Sequence, residues 1–83
     1  MILIVCMKKT NDIAVLKELG AKVKALRTDR NCTQLELAER CGFDRNYIGM
    51  LERGERNPSY LTLLKIAQGL SVSLAKLLNF KTE

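Results

Sequence analysis

The sequence holds no histidine in 83 residues. That absence removes the commonest general base and the commonest metal ligand. Three cysteines, Cys6, Cys32 and Cys41, are odd in number and lack CxxC spacing, so neither a disulfide framework nor a cysteine-built metal site is expected. No Gly-rich phosphate loop, GxSxG elbow or HExxH helix occurs, and no carboxylate pair is marked out by spacing. Enzyme chemistry therefore has no residue set behind it, and no metal or cofactor is expected. No apolar run approaches the ~18 residues that cross a bilayer. The opening MILIVCM is too short for a span and lacks the charged lead-in and cleavage site of a secretory signal. A cytoplasmic protein without a membrane partner is the expectation. Repeats, linkers and low-complexity stretches are also missing.

What is present is positive charge and helical period. Lys and Arg total 14 against 9 Asp and Glu, a net charge of +5. Such an excess suits nucleic acid, an anionic membrane or an acidic protein, or is a solvated surface that only aids solubility. The length allows one domain with a small core. Residues 1–10 read as an arm, strand-like in composition or disordered, and Met7 is a second candidate start because MKKTND resembles an ordinary N-terminus. Residues 11–83 form the domain.

From Asn11 the period becomes helical: Ile13, Leu16, Leu19, Val23 and Leu26 fall at steps of three and four and predict one buried stripe. Asn11 or Asp12 can cap its start. Lys22, Lys24, Arg27 and Arg30 crowd its end, where they suit the negative pole of the helix, and Asn31 tolerates a left-handed turn. Thr33-Gln34-Leu35-Glu36 is a capping box opening a second helix, with Leu37, Ala38 and Cys41 inward. Gly42 supplies a positive φ for a sharp turn. Asp44 is expected to cap a third helix with Ile48 and Leu51 inward and Gly54 at its end. Ser59 caps a fourth, burying Leu63, Ile66, Ala67 and Leu70, and Ser73 caps a short last one. Two short helices around Gly42, the second beginning about ten residues after the first, predict a helix-turn-helix with Ala38 at the crossing.

At these residues a family resemblance becomes visible. TQLELA, then Gly42, then RNYIGMLERG, NPS and LLKIAQGLSVSLAKLL resemble the helix-turn-helix domain of the phage Cro and repressor type, the XRE-like, lambda-repressor-like family. The resemblance runs from Leu19 to Phe80. It implies an all-α, five-helix DNA-binding domain that binds operator DNA as a dimer. GFDRNYIGMLERGERNPS is similar to the controller proteins of restriction–modification systems, small dimers that tune transcription of their own gene and of the restriction gene. Phage-type lysogeny repressors and antitoxins share the motif and remain alternatives.

In that fold the third helix enters the major groove and its N-terminal residues meet base edges. Asp44, Arg45, Asn46, Gly49, Met50 and Arg53 lie opposite Ile48 and Leu51. Arg45 has the fork for guanine O6 and N7, Asn46 suits adenine or a phosphate, and Met50 suits a thymine methyl. Asp44 is a cap before it is a reader of cytosine. Backbone contacts are expected from Gln34 and Thr33 at the second helix, from the Tyr47 hydroxyl, and from Arg53, Arg56 and Asn57, unless these last three merely solvate a loop. The resemblance further implies that Gln34 braces the recognition helix and that Arg27 and Glu52 form a partly buried ion pair. Leu61 stands where the family often has a charge, and Ser71 where it often has glycine. Leu61, Val72, Leu74, Leu77, Leu78 and Phe80 are the expected homodimer interface. The expected function is a dimeric transcriptional regulator on a palindromic operator, with RNA polymerase as a possible contact through Glu36 or Glu39 and no small-molecule ligand. The rival is a protein-interaction adaptor that has kept the fold and lost DNA binding.

Overall fold

The computed structural model describes residues 9–79, with side chains from residue 12. Among the described residues every regular element is a helix: α1 (Lys9–Asp29), α2 (Gln34–Cys41), α3 (Arg45–Glu52), α4 (Tyr60–Gly69) and α5 (Leu74–Leu77). The expected arm, residues 1–10, lies outside the described residues except for Lys9 and Thr10, which already belong to α1; the expected cap at Asn11 or Asp12 is corrected accordingly, since both positions lie inside the helix. The alternative start at Met7 and the interface residue Phe80 also lie outside them.

The short helices are set off by local signals. The Thr33 hydroxyl accepts the Glu36 amide at 3.0 Å while the Glu36 carboxylate accepts the Thr33 amide at 2.9 Å, a complete capping box. Gly42 follows α2 at φ 79°, and a Cβ there would touch nothing within 4 Å, so backbone conformation and not space calls for glycine. Ser59 and Ser73 cap α4 and α5 by accepting from Thr62 N and Lys76 N. Asn31 takes the left-handed turn after α1 at φ 52°. Asp44 occupies the cap position of α3 with extended backbone, but its carboxylate makes no capping hydrogen bond. The expected capping role is corrected accordingly: the position is right and the bond is absent.

The expected α1 stripe is buried only in its second half. Leu19, Val23 and Leu26 are in the core, Leu16 is half-buried and Ile13 is 63% exposed. Burial begins where α3 lies across the helix: a Cβ on Gly20 would stand 2.5 Å from the carbonyl oxygens of both Leu51 and Glu52. Backbone meets backbone there, and the turns before it extend beyond the crossing. A second close approach joins α2 to α4, where a Gly69 Cβ would sit 2.7 Å from Cys41 Sγ. The Cys41 thiol donates to Lys65 O at 3.4 Å, and burial pushes it above the usual thiol range, so it packs as a small apolar group.

Leu37, Ile48, Leu51, Ile66, Leu70, Leu77 and Val23 are fully enclosed and bring all five helices onto one core. Each such side chain contributes about 1.5–3 kcal/mol by leaving water. Leu77 was expected at a homodimer surface; enclosed as it is within one chain, it offers no area to a second copy. Ser71 ends α4 at φ 60° in the left-handed region, with Val72 N reaching back to Ala67 O at 3.0 Å. The turn that glycine would make without strain is made here by serine.

Candidate nucleic-acid interface

The α2–turn–α3 unit places an eight-residue helix with one face on the core and one in solvent. Ile48 and Leu51 supply the inner face. On the outer face, Arg45, Asn46, Gly49, Met50 and Arg53 join Gln34 of α2 around one open concavity of about 340 Å³. Six of the expected DNA-facing residues are therefore side by side. Gly49 forms part of its floor, and a Cβ there would approach Arg53 Nη1 at 3.4 Å and the Gln34 amide at 3.6 Å and 3.9 Å. Those are ordinary contacts with the ends of flexible side chains, so neither φ nor packing in the free chain requires glycine.

The remaining expected residues are more dispersed. Asp44 is exposed at the start of α3. The Thr33 hydroxyl is committed to its capping box. Tyr47 is half-buried, its ring 5.2 Å from that of Phe43 at a 53° tilt, and Lys65 Nζ stands 5.8 Å from the Phe43 centroid. Arg56 and Asn57 are exposed in the segment after α3, but Asn57 borders a different depression of about 320 Å³ with Asp12, Val15 and Leu16. Asn57 is thus not brought to the concavity on α3.

A buried polar network holds α3 in place. Arg27 donates from Nε to Glu52 Oε2 at 2.6 Å, from Nη2 to Glu52 Oε1 at 3.0 Å, and from Nη1 to Cys32 O at 2.9 Å. Gln34 Nε2 donates to Glu52 Oε1 at 2.9 Å. The Glu52 side chain is 3% exposed. Its hydrogen bonds to Arg27 hold the guanidinium in its charged form still more firmly than usual, against the opposing effect of burial. The network ties the end of α1, the start of α2 and the end of α3 together, and leaves no buried side-chain donor or acceptor without a partner among the described residues.

On this face one residue, Glu55, was missed in the sequence. After α3 the chain closes with Gly54 N donating to Leu51 O at 3.0 Å and Glu55 N to Met50 O at 2.9 Å, with Gly54 at φ 79°. This turn swings Glu55 back beside Arg53, whose Nε and Nη2 donate to its carboxylate at 3.0 Å and 3.2 Å. The guanidinium holds the Glu55 carboxyl below the usual carboxylate range, and the carboxylate in turn raises Arg53. The available signal was the left-handed glycine between the two charges.

Away from this face, Tyr60 and Leu61 at the start of α4 are 65% and 67% exposed, and Leu78 is also exposed. Val72 and Leu74 are half-buried and pack against the core. Tyr60 was not among the expected interface residues. No helix among the described residues is long and apolar enough to cross a membrane, and no group of three or more Cys, Asp or Glu there could hold a metal ion.

A family model described as Helix-turn-helix matches residues 23–77. The chain is 43% identical over 61 residues to an uncharacterized HTH-type transcriptional regulator, y4dJ, of Sinorhizobium fredii, covering 74% of this chain and 79% of that one. It is 40% identical over 74 residues to the control protein C.BamHI of Bacillus amyloliquefaciens, covering 88% and 89% respectively. Among solved structures, the restriction-modification controller protein C.AhdI from Aeromonas hydrophila superimposes with a TM-score of 0.72 at 38% identity, over 77% of this chain and 96% of that one.

Proposed function

The chain belongs to the helix-turn-helix family of transcriptional regulators and has restriction–modification controller proteins among its relatives; from that premise we propose that it is a cytoplasmic, dimeric regulator that binds a palindromic operator. The observation that carries the proposal is the concavity bordered by Gln34, Arg45, Asn46, Gly49, Met50 and Arg53 on the solvent face of α3. It combines fork-shaped and amide donors with an apolar side chain, the chemistry that reads base edges in a major groove. Arg45 is assigned to a guanine, Asn46 to an adenine or phosphate, Met50 to a thymine methyl. Gln34, Tyr47 and Arg56 are assigned to the phosphate backbone. The +5 net charge favours the same partner.

Two copies would set their α3 helices in successive major grooves, with half-sites about one turn, ~34 Å, apart. The exposed apolar side chains of Tyr60, Leu61 and Leu78 supply the two-fold contact. Repression follows from occlusion of polymerase; activation requires a contact with it, for which exposed Glu36 and Glu39 are candidates. Selection of bound duplexes from a random pool tests the whole reading. The expected product is an inverted repeat bound by two chains, with log affinity falling steeply against log salt. Recovery of no motif together with a flat salt slope overturns it and favours the adaptor.

A further inference from the structure

We propose that Glu55 is a positioning residue for sequence discrimination: it clamps Arg53 so that the guanidinium presents its end-on pair of N–H groups to the concavity on α3. The inference rests on the operator-binding reading above and names a role outside it. A guanidinium can meet a carboxylate along its side edge, through Nε and Nη2, or along its end edge, through Nη1 and Nη2. Glu55 takes the side edge, with Nε donating at 3.0 Å and Nη2 at 3.2 Å. The end edge, one N–H from Nη1 and one from Nη2, stays free. Nη1 is the atom that a Cβ on Gly49 would approach at 3.4 Å, so the free edge lies beside the floor of the concavity. Two parallel donors there match the paired acceptors guanine O6 and N7.

The clamp is itself anchored. Glu55 N is fixed to Met50 O at 2.9 Å by the turn that ends α3. Gly54 within that turn cannot be exchanged for a residue with a side chain, because φ is 79° and a Cβ would lie 2.9 Å from Lys17 Cα. Both charges are more than half exposed, so their pairing adds little to folding stability. Its consequence is orientation: an exposed arginine loses side-chain freedom on binding, and the pairing makes part of that loss in advance.

A carboxylate beside DNA also repels phosphate, and this separates the proposal from simple charge. If Glu55 acts only as a counter-charge, Glu55→Gln strengthens binding to every duplex alike. If it positions Arg53, Glu55→Gln strengthens binding to random duplex while weakening binding to the preferred duplex, so the ratio of the two affinities falls about three-fold, the scale of an exposed ion pair. Arg53→Lys keeps the charge but has no fork, and adding Glu55→Gln to it should then change the ratio no further.

The experiment measures wild type, both single variants and the double variant by fluorescence anisotropy. The probes are the duplex selected by the wild-type protein, a scrambled duplex, and the selected duplex with 7-deazaguanine at each guanine in turn. Equal melting temperatures check that the fold is unchanged. An unaltered ratio in Glu55→Gln, or a further fall of the ratio in the double variant, overturns the proposal while leaving operator binding intact. Failure of the wild type to prefer any duplex overturns both. Where one 7-deazaguanine abolishes the effect of Glu55→Gln, the fork reads that base; where none does, Arg53 reads no guanine and the proposal is overturned.

Discussion

Gly49→Ala should make the protein more stable and a poorer DNA binder, and the two effects have separate physical origins. Within a helix, glycine is less favourable than alanine by about 0.8–1.0 kcal/mol. Nothing among the described residues offsets that cost, since the new methyl would meet Arg53 Nη1 at 3.4 Å and the Gln34 amide at 3.6 Å and 3.9 Å, all ordinary van der Waals distances that need no shift. In a domain of this size about 1 kcal/mol moves the melting temperature by roughly 4–8 °C. The same methyl raises the floor of the concavity on α3, where a base edge would have to approach. A loss of about ten-fold in affinity, or about 1.4 kcal/mol, is expected on the preferred duplex. Thermal melts at fixed protein concentration give the first quantity, because melting of a dimer depends on concentration; anisotropy titrations give the second. A stabilised variant that binds the selected duplex as tightly as wild type would refute the reasoning, because glycine would then serve neither fold nor interface. A destabilised variant would mean that the space above Gly49 is not free.

Gly20→Ala should act in the opposite sense: its Cβ would stand 2.5 Å from the Leu51 and Glu52 carbonyl oxygens, both rigid backbone, so overpacking of about 1–3 kcal/mol is expected in urea titrations. Ser71→Gly should stabilise, since relief of a left-handed φ of 60° is worth about 1–2 kcal/mol and glycine gives back about half of it through chain entropy; an unchanged melt would contradict strain at that turn. Glu52→Gln leaves the Arg27 guanidinium buried without its counter-charge and should cost roughly 3–5 kcal/mol, measured by chemical denaturation; a loss below about 1 kcal/mol would show that water reaches the pair.

Helix ends were legible in the sequence, apart from the start of α1 and the capping bond of Asp44, because caps and turns are local. Thr33 with Glu36, Ser59, Ser73, Asn31, Gly42 and Gly54 each sit where a hydroxyl, a carboxylate or a positive φ is needed within a few residues. The same locality explains the failures. Periodicity put Ile13 on the inner face of α1 but could not say whether a neighbour stands opposite, and among the described residues it is 63% exposed. Leu77 and Leu61 look alike in composition, yet one is enclosed and the other is 67% exposed, because α5 packs on the core with one face while the first turn of α4 points away. Gly20 and Gly69 carry no signal in the chain at all: their need for glycine arises where two helices cross. On the candidate site, Arg45, Asn46 and Met50 were visible as polar or large residues opposite a core stripe. Glu55 was not, because its partnership with Arg53 exists only once the turn at Gly54 has folded the chain back.

An isolated helix of eight residues does not persist in water, so the aim of α3 has to come from its surroundings. Ile48 and Leu51 fix its rotation about its own axis, since turning it would expose enclosed side chains. Gly20 fixes its distance from α1. Glu52 fixes its tilt, held by hydrogen bonds from both Arg27 and Gln34. Discrimination between bases demands side chains held to within about half an ångström, which loops seldom provide and crossed helices do. The supports lie on the inner face and at the end of α3, and the residues proposed to read bases lie on the outer face of the same helix. Fold and specificity are therefore coupled at Glu52 and separable at Arg45, Gly49 and Met50. On the proposed reading, changing the outer residues alone should reach a different operator, while any change to the support should shift all of them together.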